Sequence, residues 1–411
     1  MMDKVSVAAD SGPTWVEAWT PSEGSKRATA LLRETFGAEQ PSSWHAPGRV
    51  TVIGEHTDYS EGLALPTVTP HAIYVAASPR DDRRVRVVSD QGDTLDGPGA
   101  IWEGTLDDEP REVEGWPQYV IGLLWAMQER GYDGPGMDLA YASCLPARAG
   151  LGSSASILAA TALAANDLWR LALDGDDGHA ELADACLHAE NLAVGTLCGA
   201  LDPHTILRCD HEHALLLDFA QHPTGAQPYP MYFRDYGLGL LVIDTGVPRG
   251  DVQQLFRTRR TEVAAAAQAL GSRTLREVAD APLAARRVEG ISDPVLRRRA
   301  RHVTAEIDRV RLVVDELSGT GPAHERFVAI GKAIYRSHAS LELDYEASDP
   351  TLDYAVDAAF KAGALGARVS GAGYGGAIVA LVRKAQARLA AQHVAQAFSD
   401  AGRETPRFLW V

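Results

Sequence analysis

The stretch Ala46–Pro66, APGRVTVIGEHTDYSEGLALP, opens as an apolar β-strand and closes on charge. Arg49 sits within the strand, and Glu55, His56, Thr57 and Asp58 follow in four successive positions. Charged side chains are rarely buried without partners, so core packing does not account for that density of polar groups. The segment reads as a strand that ends where something polar is held.

A second stretch, Leu145–Ser156, reads LPARAGLGSSAS. Its glycines permit positive φ and close backbone approach, and its serines stand at the start of an Ala- and Leu-rich helical run. Free backbone N–H groups and the positive end of a helix dipole would suit a phosphate there. The alternative is that the serines simply cap the helix. A Walker-type loop is excluded, because Gly331-Lys332 is followed by Ala333, and no HRD or DFG motif of protein kinases is present.

Near the end of the sequence, residues 371–376, GAGYGG, match GxGxxG but lead into AIVALV, a strand rather than the helix a dinucleotide site needs. A glycine turn joining two strands and letting backbone approach another loop is expected. CDHEH, residues 209–213, lacks a second ligand pair at zinc spacing and reads as a polar turn. LRRRARH, residues 296–302, reads as a solvated helix face.

With 411 residues, 45% of them hydrophobic, the chain is long enough for two cores. The net charge of −16 argues against a nucleic-acid partner. Cysteines 144, 186, 198 and 209 show no paired short spacing, which fits a reducing cytoplasm without disulfides or zinc. Neither a secretion signal nor a membrane span is expected.

Strands are expected at 49–53, 72–77, 85–88, 137–142, 214–219, 238–244, 367–370 and 377–382. Helices are expected at 28–36, 116–130, 156–173, 180–193, about 250–270 and 293–317. Residues 1–25 read as a loose lead-in, and HPTGAQPYP, residues 222–230, as a linker. Strands and helices mix without regular alternation, so both halves, 26–225 and 226–411, are expected to be α+β.

In this order the motifs resemble those of the galactokinases, within the GHMP family of small-molecule kinases. APGRVTVIGEHTDYSEGLALP is similar to the galactokinase signature, LPARAGLGSSAS to the phosphate loop, and VSGAGYGGAIV to the third, glycine-rich motif. Weaker stretches agree in order: FGAE (36–39), WPQYV (116–120), AENLAVGTLCGALDP (189–203) and SHASLELDYEASDPTLD (337–353). The resemblance runs from about residue 28 to residue 380.

It implies a ribosomal-S5-domain-2-like N-terminal domain, a ferredoxin-like C-terminal one, and a site in the cleft between them. It also implies ATP-dependent phosphorylation of D-galactose at the anomeric hydroxyl, the first step of galactose catabolism, with Mg2+, in a cytoplasmic monomer. By the resemblance, Asp202 matches the catalytic Asp, which would either deprotonate or only position the anomeric hydroxyl, and Arg49 matches the arginine that pairs with it. Glu55, His56, Asp58 and Gly199 match sugar contacts. Gly150, Leu151, Gly152, Ser153, Ser154 and Ala155 match the nucleotide loop, and Ser154 and Glu190 match the metal ligands.

Three positions depart from the family's pattern. Thr51 replaces an Asn. Pro203 replaces a Gln and should push Asp202 toward extended backbone. Phe256 falls where a Tyr hydroxyl meets the sugar. These leave open a sugar-1-kinase acting on N-acetylgalactosamine or arabinose, while the intact Ser154-Ala155 pair speaks against a non-catalytic galactose sensor.

Overall fold

The computed structural model describes residues 12–91, 101–247, 252–373 and 376–411. A short strand, β1 (Thr14–Trp15), precedes helix α1 (Pro21–Phe36). The expected loose lead-in is therefore built into the fold at both places, while residues 1–11 lie outside the described residues. Trp15 packs on Phe408, and Thr20 caps α1 by accepting the Glu23 N–H at 3.2 Å.

The first sheet comprises β2 (Ser42–Ile53), β3 (Leu63–Pro79), β4 (Arg84–Ser89), β5 (Ile101–Thr105), β6, β7 and β8. Helix α2 (Pro117–Glu129) precedes β6 (Met137–Ser143). After β6 come α3 (Ser153–Leu168), α4 (Gly175–His188) and α5 (Leu201–Arg208), then β7 (His213–Asp218) and β8 (Gly225–Pro230). β3 is the spine, pairing with β2, β6 and β7.

Both faces of this sheet are covered, because strand residues alternate sides. Ala72, Tyr74 and Ala76 meet Ala28 and Leu32 of α1, whereas Ile73, Val75 and Ala77 join the main core with α2 and α3. The expected linker at 222–230 is instead mostly β8, an edge strand antiparallel to β7. Its prolines are tolerated because an edge strand has one unpaired side. The break expected after residue 225 thus falls inside a strand that belongs to the first sheet.

The second sheet holds β9 (Leu238–Asp244), β10 (Gly366–Val369), β11 (Ala377–Arg383) and β12 (Arg407–Trp410), with β1 on its edge. The order β12-β9-β11-β10, with helices between β9 and β10 and between β11 and β12, is that of a ferredoxin-like unit. Between β9 and β10 run α6 (Val252–Ala269), α7 (Leu275–Asp280), α8 (Ala284–Glu289), α9 (Pro294–Ser318), α10 (Ala323–Ser340) and α11 (Pro350–Lys361). Helix α12 (Ala387–Asp400) joins β11 to β12. The fold is α+β throughout.

Residues 296–302 depart from the solvated face expected of them. Arg299 and His302 are buried, because one side of α9 turns into the protein. Arg299 donates to Glu262 and Glu346, each at 2.6 Å, and to the Asp344 carbonyl at 2.6 Å. Among the described residues no helix is long and apolar enough to cross a membrane.

Candidate active site

Where β2 ends, the chain turns sharply, with Gly54 at φ 103° and His56 at φ 61°. The turn is held from behind by α9. Glu306 accepts the Gly54 N–H at 2.9 Å, and His302 donates through Nε2 to the Glu55 carbonyl at 3.2 Å. Thr57 closes the turn by donating to the Leu63 carbonyl at 2.7 Å. The charge at the end of β2 is therefore supported by a second layer of buried polar groups.

Glu55 Oε1 accepts the Gly371 N–H at 2.6 Å and lies 3.4 Å from the buried guanidinium of Arg368. Burial pushes this carboxyl up, and Arg368 and Arg49 oppose the shift. His56 is held neutral by burial, at about 3. A carbonyl only accepts, so His56 Nε2 carries the proton toward the Ala372 carbonyl at 3.0 Å. Nδ1 then accepts from the Tyr59 hydroxyl at 3.1 Å, and Tyr59 in turn meets the hydroxyl of Tyr345.

At the loop 145–152 the serines do not cap the helix. The N-cap of α3 is Gly152, in the left-handed region, and no side chain caps that end. Ser154 instead donates to Glu190 at 2.9 Å, and Ser156 to the Pro47 carbonyl at 2.7 Å. The start of α3 thus carries no capping side-chain oxygen, and Ser153 and Ser154 of its first turn line a cavity.

Glycines bring the third motif onto this loop. A Cβ at Gly371 would lie 2.9 Å from the Gly150 carbonyl, and one at Gly376 would lie 3.1 Å from that of Ala149. Both have positive φ, so backbone packs on backbone here as a glycine turn allows. Tyr374 and Gly375 lie outside the described residues.

Arg49 crosses from β2 to the first turn of α5. Its Nε and Nη2 donate to the two oxygens of Asp202, each at 2.6 Å, and its Nη1 reaches the Gly150 carbonyl. The backbone expected for Asp202 is corrected here: it is helical, not extended. Pro203 occupies the first turn, where no N–H is needed for an intrahelical bond, so the helix begins ahead of it.

Glu190 lies on a single π-turn, Ala189–Ala193, that interrupts the helical path after α4. Burial lifts its carboxyl to about 7; Asp202 adds to the shift, and Ser154 opposes it. Asp58 is also raised, by burial first and then by Asp202. Its carboxylate rests on Gly199, where a Cβ would come within 1.5 Å of Oδ2. These groups line one cavity of about 360 Å³, walled by both halves of the chain and completed by Phe256 and Gln253 of α6 and by Ala372. That volume lies within the range of small-ligand sites.

Residues 30–79 match the galactokinase galactose-binding signature, 118–208 the N-terminal domain of GHMP kinases, and 317–400 their C-terminal domain. The galactokinase of Streptomyces coelicolor is 38% identical over 92% of this chain and 93% of its own length. The chain belongs to the galactokinase family. A galactokinase of Roseiflexus sp. is 36% identical over 91% of the chain and 92% of its own length. The solved structure of Lactococcus lactis galactokinase complexed with galactose superposes with a TM-score of 0.82 at 26% identity, covering 94% of this chain and 97% of that one. A Methanococcus jannaschii mevalonate kinase, at 18% identity and a TM-score of 0.62 over 90% of this chain and 98% of that one, shares the fold.

Arg49, Glu55, His56, Asp58, Gly150, Gly152, Ser153, Ser154, Glu190, Gly199, Asp202 and Phe256 all line the cavity. Leu151 and Ala155 are buried in the core beneath the loop. Leu151 still serves by its carbonyl, which accepts the Arg49 N–H at 2.9 Å. Thr51 is buried below the site rather than facing it, and its carbonyl takes a bond of 3.1 Å from Arg368.

Sequence reading missed the supports, namely Arg368, His302 and Glu306. Arg368 had one signal, a lone arginine inside an otherwise apolar strand ahead of the glycine turn. The Tyr345 ring packs at a tilt against those of His56 and His302, with centroids 4.6 and 4.5 Å away, which gives the SHASLELDYEASDPTLD stretch a physical role behind the first motif.

Proposed function

We propose that this protein transfers the γ-phosphoryl group of ATP to the anomeric hydroxyl of D-galactose, giving α-D-galactose 1-phosphate and ADP. The observation that carries this reading is the Arg49–Asp202 pair, set between the uncapped end of α3 and the Glu55–Asp58 turn in one cavity. Galactose would lie against Glu55, Asp58 and Gly199, and its anomeric oxygen would face Asp202. The polyphosphate would meet the N–H groups at the start of α3.

Both Asp202 oxygens already accept from Arg49, which makes the carboxylate a weak base but a well-fixed acceptor. It aims the sugar hydroxyl in line with the γ-phosphorus. As the new O–P bond forms and the bond to ADP breaks, the hydroxyl proton passes to Asp202 and on to solvent.

Ser154 and Glu190 fit a magnesium ion. They offer hard oxygen ligands 2.9 Å apart, and Glu190 is a buried carboxyl raised to about 7, a site short of positive charge. A magnesium ion held by these two residues would supply positive charge against the phosphates.

ADP release with Mg-ATP over a sugar panel tests this reading. Galactose should be turned over best. Brisk turnover of N-acetylgalactosamine or arabinose beside none of galactose would replace it with a related sugar-1-kinase. Galactose binding without ADP release from any sugar would make the protein a sensor.

A further inference from the structure

Helix α6 belongs to the second half of the chain, and two residues one helical turn apart near its start, Gln253 and Phe256, line the cavity. Gln253 reaches across to the first half, where its Oε1 accepts the Leu197 N–H at 2.9 Å. A backbone N–H only donates, so the amide has to turn its oxygen toward Leu197, and that fixes which end is left over. The other end, Nε2, carries two N–H donors and has no partner among the described residues.

The segment that Gln253 holds leads to Gly199. Asn191 brackets the next residue from the first half: its Oδ1 accepts the Cys198 N–H at 3.1 Å, and its Nδ2 donates to the Cys198 carbonyl at 3.4 Å. Gly199 follows, with the Asp58 carboxylate resting on it. The free amide nitrogen is therefore tied, through two residues of held backbone, to the part of the cavity where the sugar would lie.

That part is rich in acceptors and short of free donors. Glu55, Asp58 and Asp202 bring carboxyl oxygens. His56 gives its proton to the Ala372 carbonyl, and Arg49 donates through Nε, Nη1 and Nη2 to Asp202 and the Gly150 carbonyl. Phe256 has no hydroxyl to offer. A sugar hydroxyl that gives its proton to a carboxylate keeps lone pairs of its own, and in a closed site these need a donor.

We propose that Gln253 is a specificity-determining residue for the sugar, donating from Nε2 to a hydroxyl oxygen of galactose other than the anomeric one. This rests on the kinase reading given above. Gln253 supplies, one turn earlier on α6, the donor that Phe256 lacks.

A comparison of the parent with Gln253→Leu, over galactose and its 2-, 3-, 4- and 6-deoxy derivatives, tests the assignment. Affinity is read as KM, or as an inhibition constant against galactose where a deoxy sugar is a poor substrate. The KM for galactose should rise about three- to tenfold, as for the loss of a neutral hydrogen bond, while kcat moves less and the KM for ATP holds. One deoxy sugar should bind parent and variant alike within about twofold, because it lacks the hydroxyl that Gln253 meets. Gln253→Glu keeps an acceptor for the Leu197 N–H but loses the amide donor, so it should also weaken galactose binding. A KM for galactose within about twofold of the parent in both variants would overturn the proposal. An equal loss for galactose and all four deoxy sugars would do so too, because it would show that Gln253 only holds Leu197 in place. A parent protein that phosphorylates none of these sugars would sink the kinase reading, and calorimetric titration with the same five sugars would then decide the contact by itself.

Discussion

Arg49 and Asp202, 153 positions apart in sequence, meet edge to edge through two bonds of 2.6 Å. The Arg49 side chain is nearly buried, at 7% exposure, so removing its partner outright would strand a charge. Asp202→Asn keeps the shape and an acceptor oxygen while removing the negative charge. Turnover should fall by about 10²–10⁴-fold, the range for losing a positioned acid-base group. Arg49→Lys, which cannot make both bonds, should also lose turnover. Steady-state kinetics with galactose would check both.

Gly199 and Asp58 form a second close relationship. A methyl group at residue 199 would overlap the Asp58 carboxylate, so Gly199→Ala must displace it. The KM for galactose should rise by about tenfold or more, the effect of losing one hydrogen bond to a charged group. The KM for ATP should stay near its parent value, and measuring both constants in the same variant is the check.

Three buried histidines set the acid limit of the fold. Burial holds His56, His302 and His338 at about 3, about 4 and about 4, against an ordinary 6.5. Each lowered value means that the unfolded chain takes up the proton first, so their contribution is complete above pH 6.5 and is lost as pH falls toward 4. Between about pH 7.5 and 5.5 the three together should remove on the order of 4 kcal/mol of stability. Glu306, held at about 2 against an ordinary 4.5 chiefly by Arg309 despite its burial, adds a second loss between those values. Thermal melts from pH 8 down to pH 5, where an unchanged midpoint would contradict this, are the measurement.

Phe256 contacts the sugar side of the cavity through its ring, 5.3 Å from that of Tyr59 and 6.0 Å from that of His56. Phe256→Tyr offers a hydroxyl there. If it finds a sugar hydroxyl, galactose should bind more tightly by about 0.5–1.5 kcal/mol, roughly tenfold at most. A weaker affinity would mean that the wall is shaped for an apolar edge.

The residues that line the cavity were legible because their motifs keep them local: a strand end, a glycine loop, a helix start. The layer behind them was not. Arg299 and His302 sit in a run that reads as surface, and only the packing of α9 against the first motif shows that they turn inward. The run at 222–230 carries prolines that suggest a linker, while its pairing with β7 is a tertiary fact. Pro203 was legible as a departure but not in its effect, since its tolerance depends on where α5 begins.

The central claim is that the Arg49–Asp202 pair directs a phosphoryl group to the anomeric oxygen of galactose. Phosphorus NMR of the product made from D-galactose and Mg-ATP tests it most directly. The predicted result is a sugar phosphate resonance coupled to the anomeric proton in the α configuration, absent when Asp202→Asn replaces the parent protein. A phosphate on another carbon, or the same product formed as fast by Asp202→Asn, would contradict the account.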